Sequence, residues 1–325
     1  MPQATSVPAI SIAGFKQIYS TQAVESALED LPASANEALR TIYERMLRTG
    51  GERFCVKPAA MPAFDALEQE LPNFGEVLDD LRRQIALCLE TEDTLEITPM
   101  LLLGEPGIGK THFAKRLSQL LGTGYGFVSM SSLTAGWILS GASSQWKNSK
   151  AGKVFDTLVN GDYANPVLVV DEIDKASIDG QYDPLGALYS LLEQETAREF
   201  VDEFAEVAVD CSDIVWIATA NDLRGIPEPI LNRVNVYEVP APDRDGARQI
   251  AQSLYREIRD SHAWGRDFPE QLSPALADKL AGFAPRDMRR LLMGAFGSAK
   301  LAARRELSVE DLSADRSRKR QRIGF

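Results

Sequence analysis

The chain has 325 residues, 44% of them hydrophobic and 25% charged, with a formal net charge of -12 at pH 7. That length can hold two domains or one large one with appendages; the composition is that of a globular protein, and the acidic balance argues against broad electrostatic binding to nucleic acid. No apolar stretch approaches the roughly 20 residues that cross a bilayer, and the start has no basic leader. Cys55, Cys88 and Cys211 are odd in number and far apart, which argues against a disulfide framework or a zinc site, so the expectation is a cytoplasmic protein with reduced thiols and no membrane partner.

Residues 1–12 mix Pro, Ser, Thr and Ala without periodicity and read as a flexible start. Between Thr21 and Thr49, Val24, Leu28, Leu31, Leu39, Ile42, Met46 and Leu47 recur at helical spacing, broken at Leu31-Pro32-Ala33-Ser34, which predicts two short helices. Residues 50–72 hold Pro58, Pro62 and Pro72 and read as a linker with a short helix at 64–70. A helix at 76–89 places Val77, Leu78, Leu81, Ile85 and Leu89 on one face and leads to an apolar strand at 100–103. A helix at 112–121, a turn at 122–126, a short strand at 127–130 and a helix at 153–160 follow. The runs at 167–170 and 214–219 are continuously apolar, as expected of parallel strands buried on both faces. A helix at 184–195 separates them, and 235–239 could be a last strand. From Pro242 onward the pattern is helical, at 243–258, 274–283 and 287–301. Strands alternating with helices, then helices alone, predict an α/β domain with a parallel sheet followed by a small helical domain.

The turn between the strand at 100–103 and its helix reads Gly104-Glu105-Pro106-Gly107-Ile108-Gly109-Lys110-Thr111, with His112 next on the helix. Gly104, Gly109, Lys110 and Thr111 are the four fixed positions of a phosphate-binding (Walker A) loop. Glycines let the backbone curl so that successive N–H groups face an anion, and the helix N-terminus adds partial positive charge. Lys110 would reach the outer phosphates of a nucleotide, and Thr111 would ligate magnesium.

The strand at 167–170 runs into Asp171-Glu172-Ile173-Asp174, so two adjacent carboxylates sit where a parallel strand meets its loop, the edge at which α/β sheets bind ligands. Strand alternation sends them in different directions: Asp171 can hold the magnesium, directly or through a water, and Glu172 can orient and deprotonate an attacking water. Read alone the pair could equally be a solvated acidic loop. Asn221 ends the next apolar strand, where its amide could sense a terminal phosphate, although Asn is also a common turn residue. Arg233, shortly after Ile226-Pro227-Glu228-Pro229, could be delivered to a neighbouring subunit's nucleotide to neutralise charge on the transferred phosphoryl group.

In this order the motifs resemble those of AAA+ ATPases, and the wording around them looks most like the ATPase module of Lon proteases. Asn165-Pro166, Asp171 to Lys175, Asp183-Pro184, Leu191-Leu192-Glu193, Ile217 to Leu223 and Ile226 to Pro229 carry the resemblance, which covers about residues 76–305. It implies a P-loop AAA+ sheet flanked by helices, a small all-helical lid, ATP and Mg2+ as ligands, hydrolysis of ATP to ADP and phosphate, and a homo-oligomeric ring, a hexamer, acting on protein substrates. In such a family Asn221 would be sensor 1, Arg233 the arginine finger, and Arg286, in Gly282-Phe283-Ala284-Pro285-Arg286-Asp287, the sensor 2 arginine that contacts its own subunit's nucleotide. The position of the substrate-gripping pore loop falls on Trp146 and Lys147. Trp146 sits on an otherwise polar stretch that offers it no apolar face, and Lys147 departs from the family's aliphatic residue.

The resemblance divides the chain into a mostly helical N-terminal extension (1–75), a nucleotide-binding α/β domain (76–241), a lid (242–306) and a basic tail (307–325). About twenty residues remain beyond Ala303, too few for a Lon-type peptidase, so protease activity is not expected of this chain, and a separate partner protein could supply it. Residues 315–325 hold five basic residues against one acidic. That run could touch nucleic acid, as in a helicase loader or transposition regulator, although charge runs are usually solvated. A nucleotide-controlled scaffold is the third reading.

Overall fold

A computed structural model describes residues 10–32, 36–132, 136–146, 149–176 and 183–312. Lys147 and the basic run at 315–325 lie outside the described residues, as does most of the expected flexible start. The chain divides into two units, one built from the described residues of Met1–Ala63, Glu76–Gly104 and Lys110–Glu238, the other from those of Phe64–Gly75, Glu105–Gly109 and Val239–Phe325.

The first unit opens with an antiparallel pair, β1 (Ile10–Gln17) and β2 (Glu52–Pro58), joined through α1 (Thr21–Glu29) and α2 (Glu37–Thr49). The two helices match expectation: Ser20 and Asn36 cap them by accepting from Ala23 and Ala38 N–H groups. The strands do not, because β1 begins inside the stretch expected to be structureless and β2 replaces the first part of the expected linker. Their paired residues lie between 35 (Gln17 with Glu52) and 48 (Ile10 with Pro58) positions apart in sequence, and a register shift between Ile12 and Gly14 interrupts the alternation that would reveal β1. The pair is stitched to the rest of the unit. Asn165, buried, accepts from Val56 N–H at 3.1 Å and donates back to Val56 O at 2.6 Å, taking the place of a strand partner. Arg53, also buried, donates to Leu158 O and Val159 O at the end of α6 (Lys153–Val159), where a helix presents unsatisfied carbonyls and partial negative charge. Ile18, Val24, Leu39, Met46 and Cys55 accordingly share one core with Leu168 and Trp216 of the sheet.

Between these elements lie α3 (Phe64–Glu70) and α4 (Gly75–Cys88). The central sheet has five parallel strands in the order β4-β5-β8-β3-β9, comprising β3 (Met100–Leu103), β4 (Tyr125–Ser129), β5 (Val167–Asp171), β8 (Val215–Ala220) and β9 (Asn235–Glu238). Helix α5 (Lys110–Leu121) turns Lys110, Phe113, Ala114, Leu117 and Leu121 inward at 3.6-residue spacing and stops at Gly122, whose φ of +70° suits glycine. The expected helix at 184–195 is instead two single turns, α7 (Leu188–Leu191) and α8 (Gln194–Ala197), because Glu193 takes an extended conformation between them. A short hairpin, β6 (Phe200–Val201) with β7 (Ala208–Val209), follows, and α9 (Glu228–Leu231) precedes the last strand.

The second unit is helical. Its core joins Ala247, Ile250, Ala251, Tyr255 and Ile258 of α10 (Arg244–Ser261), Leu276 and Leu280 of α11 (Pro274–Leu280) and Met288, Leu292, Ala295 and Phe296 of α12 (Pro285–Leu301). Tyr255 and Phe296 stack with ring centroids 5.2 Å apart. Helix α3 packs against α10 in this unit, so residues 64–70 fold here and not as part of a linker. The three cysteines are free and buried. Among the described residues no helix is long and apolar enough to cross a membrane.

Candidate functional site

Three neighbouring strands deliver the candidate residues to one edge of the sheet. The chain leaves β3 at Gly104, whose N–H donates to Ala220 O at 3.1 Å and so fastens the loop's start to the end of β8. Lys110 opens α5, only 8% exposed, with Nζ donating to Gly104 O at 2.5 Å and to Asn221 Oδ1 at 2.9 Å. Burial lowers its pKa below the ordinary lysine value, opposed by the carboxylates of Asp171, Asp174 and Glu172. Thr111 Oγ1 donates to Asp171 Oδ1 at 2.8 Å. Hydrogen bonds thus tie Lys110 and Thr111, consecutive at the start of α5, to Asn221 and Asp171, which come from sequence 60 and more residues away. His112 is half-buried on the same helical turn.

Glu172 follows Asp171 in a left-handed conformation (φ 56°, ψ 49°), uncommon for a residue with a side chain. That conformation ends β5 abruptly. Thr219, on β8 and 1% exposed, holds the corner: its Oγ1 donates to Asp171 Oδ1 at 2.8 Å and accepts from Glu172 N–H at 3.0 Å. The sequence reading passed over Thr219. The available signal was its spacing of two from Asn221, which places both on one side of an extended chain.

The loop Glu105–Gly109 belongs to the helical unit. Gly107 and Gly109 have φ of +86° and +109°, which only glycine adopts readily. A Cβ on Gly109 would lie 3.2 Å from Leu71 Cδ2, and one on Gly107 would lie 3.7 Å from the Cβ of Arg286, so α12 sets Arg286 beside the loop backbone. Asn73, another residue missed from sequence, donates through Nδ2 to Ile108 O at 3.4 Å and to Pro240 O at 3.1 Å. Ile108 is buried, whereas Glu105, Pro106 and Gly107 are exposed.

The Asp171 carboxylate and the Thr111 hydroxyl are hard oxygen donors, the type magnesium takes when it is held by one or two carboxylates together with substrate phosphates. The residues therefore fit a magnesium nucleotide.

Arg233 is engaged elsewhere in its own chain. Its Nε lies 2.7 Å from Glu193 Oε1 as an ion pair without hydrogen-bond alignment, and Nη1 donates to Pro229 O at 2.5 Å. Trp146 is 43% exposed, and its carbonyl accepts from Ser149 Oγ. It does have an aromatic neighbour, contrary to expectation: Trp137 meets it edge-on at 5.3 Å. The ends of this loop converge on Asp202, which is completely buried. Asp202 accepts from Gly152 N–H at 2.7 Å, Phe204 N–H at 2.9 Å and Ala205 N–H at 3.0 Å, while Ala142 N–H donates to Lys150 O at 3.2 Å across the loop's neck. Burial pushes the Asp202 carboxyl up to about 6, against the pull of its three N–H donors.

A parallel sheet with a glycine-rich loop after the strand between its central and edge strands, and with lysine, threonine, aspartate and asparagine gathered at its carboxyl edge, defines a P-loop α/β fold of the AAA+ type. Residues 100–240 match the family model of the ATPase family associated with various cellular activities (AAA). Across that region it is similar to Lon proteases. It is 32% identical over 167 residues to the peroxisomal Lon protease homolog 2 of Spinacia oleracea, covering 51% of this chain and 19% of that protein. It is 30% identical over 194 residues to the Lon protease of Halothermothrix orenii, covering 58% and 25% respectively. The chain thus matches a quarter or less of each of these relatives. Among solved structures, the RuvB Holliday junction branch migration motor of Thermotoga maritima shares the fold, at a TM-score of 0.50 and 15% identity over 78% of this chain and 70% of that one.

Proposed function

We propose that the chain is an ATP-hydrolysing motor of the AAA+ class that assembles into a ring, a hexamer, and remodels protein substrates. The observation that carries the ATPase reading is the hydrogen-bonded set Lys110–Asn221 and Thr111–Asp171, which joins the glycine-rich loop to two further strands. The loop's N–H groups and Lys110 bind the phosphates, and Arg286 contacts the nucleotide from α12, the helical unit acting as a lid. Thr111 and Asp171 would hold magnesium, which would supply positive charge beside the phosphates. Glu172 orients the attacking water and takes its proton, and Asn221 fixes the terminal phosphate. Arg233 completes the site of a neighbouring copy, and Trp146, with Lys147 beside it, grips an extended polypeptide.

The test is nucleotide binding and turnover in Lys110→Ala and Glu172→Gln. Removing the ammonium is expected to abolish binding. Glu172→Gln is expected to bind ATP as the wild type does while slowing hydrolysis by about 10²- to 10⁴-fold, the usual size of a general-base contribution. Wild-type turnover in either variant contradicts the assignment.

A further inference from the structure

We propose that Thr219 is the positioning residue that holds Asp171 and Glu172 in working geometry, and that its hydroxyl sets the magnesium response of the site. The inference rests on the reading of Asp171 as the metal-holding carboxylate. Three observations carry it. First, a single buried oxygen, Thr219 Oγ1, serves both neighbours: it donates to Asp171 Oδ1 at 2.8 Å and accepts from Glu172 N–H at 3.0 Å. Second, Glu172 is left-handed at φ 56°, and a side-chain-bearing residue stays in that region only where its surroundings hold it there. The bond from its own N–H to Thr219 is such a restraint. Third, Asp171 Oδ1 accepts from two hydroxyls, and the two have different roles. Thr111 is the residue expected to bind magnesium, whereas Thr219 sits 1% exposed in the interior of β8, with its single hydrogen used on Asp171.

The division of labour follows. When Thr111 turns its oxygen to a metal, its hydrogen bond to Asp171 is the one that must change, and Thr219 remains to keep the carboxylate from rotating. Parallel pairing of β5 with β8 fixes the register that brings Thr219 beside the Asp171–Glu172 corner. Replacing the hydroxyl with a methyl would leave Glu172 N–H without this acceptor and would release Asp171 to a second rotamer. Both effects act on metal affinity and on the chemical step, and neither touches the glycine-rich loop.

The experiment uses the full chain with Thr219→Val, Thr219→Ala and Thr219→Ser. Binding of a fluorescent ATP analogue is followed without metal and across a magnesium titration, beside steady-state ATPase rates. Thr219→Val is expected to bind the analogue as the wild type does without metal, but to need about tenfold more magnesium for half of the metal-dependent change, in the range seen when a ligand's supporting hydrogen bond is removed. Its kcat is expected to fall by about the same factor while KM at saturating magnesium holds. Thr219→Ser, which keeps the oxygen, is expected to restore both. Should the valine variant not fold, the alanine variant, smaller and equally without the hydroxyl, gives the same reading. A wild-type magnesium midpoint and kcat in folded Val or Ala variants overturns the proposal, as does a serine variant as impaired as valine. Failure of the underlying site reading looks different, since the wild type itself would then show no magnesium-dependent nucleotide binding.

Discussion

Asn221, just beyond the end of β8, is tied to the first residue of α5. Its Oδ1 holds the Lys110 ammonium at 2.9 Å, so the amide and the lysine are already oriented toward one another. On the proposed reading, a bound terminal phosphate would compete for that ammonium and would take a hydrogen bond from the amide, whose contribution would grow as charge develops on the transferred group. Asn221→Ala is therefore expected to lower kcat by about 10²-fold, as loss of one preorganised donor does, with equilibrium nucleotide affinity changed only a few-fold. Paired binding and turnover measurements check this. Lost affinity with intact kcat would mean that Asn221 only anchors Lys110. At this scale the sequence was most informative where chemistry is written in consecutive residues, as at Gly104 to Thr111 and Asp171-Glu172. Thr219 carried only its spacing from Asn221 as a signal, because its role depends on strand register and on the backbone conformation at Glu172, neither of which a local pattern reports.

Among the elements, the loop that carries Trp146 is fastened at its neck by Asp202, and that fastening has a pH signature. Asp202 stands at about 6 in the fold against an ordinary 3.8, so between these values the folded chain keeps a proton that the unfolded chain has lost. The contribution of this group to stability is largest below the ordinary carboxylate range, falls as pH rises toward 6 and is level above it, a change on the order of 3 kcal/mol. The stability of the wild type relative to Asp202→Asn, measured by urea unfolding, is expected to decline from about pH 4 to about pH 6.5 and then to stay constant. A difference that does not change with pH would show that the buried carboxylate keeps its ordinary affinity for protons. The elements missed from sequence share a cause. Both β1–β2 and β6–β7 are short or irregular strands whose identity comes from a partner, and the break between α7 and α8 comes from the extended backbone of Glu193 and carries no Pro or Gly signal. Strands β5 and β8 were legible because burial on both faces demands continuous apolar runs.

For the whole molecule the decisive residue is Arg233, which within its own chain pairs with Glu193 and Pro229 and not with the Lys110–Asp171 cluster. The in-chain contact is weak. Glu193 is 45% and Arg233 26% exposed, and ion pairs of that kind contribute about 0 to 1 kcal/mol. An arginine that stabilises phosphoryl transfer contributes about 10³- to 10⁵-fold in rate, several times more free energy than the ion pair can oppose. Glu193 can therefore store the guanidinium in a separated chain without preventing its use by a neighbour. If copies supply one another's arginine, ATPase rate per chain is expected to rise with protein concentration and to follow the appearance of a ring-sized species in sizing experiments with ATP. Arg233→Ala is expected to reduce the plateau by about 10³-fold while nucleotide still binds, and Glu193→Ala to leave the plateau within a few-fold of wild type. Mixing Arg233→Ala with Glu172→Gln separates the two contributions, because a ring containing both variants pairs some intact Glu172 sites with intact arginines from the other variant. Recovery of turnover in the mixture, absent from either variant alone, is the signature of a site completed by a second copy. Concentration-independent rates that survive Arg233→Ala would leave the nucleotide site in place and remove the ring that the motor requires.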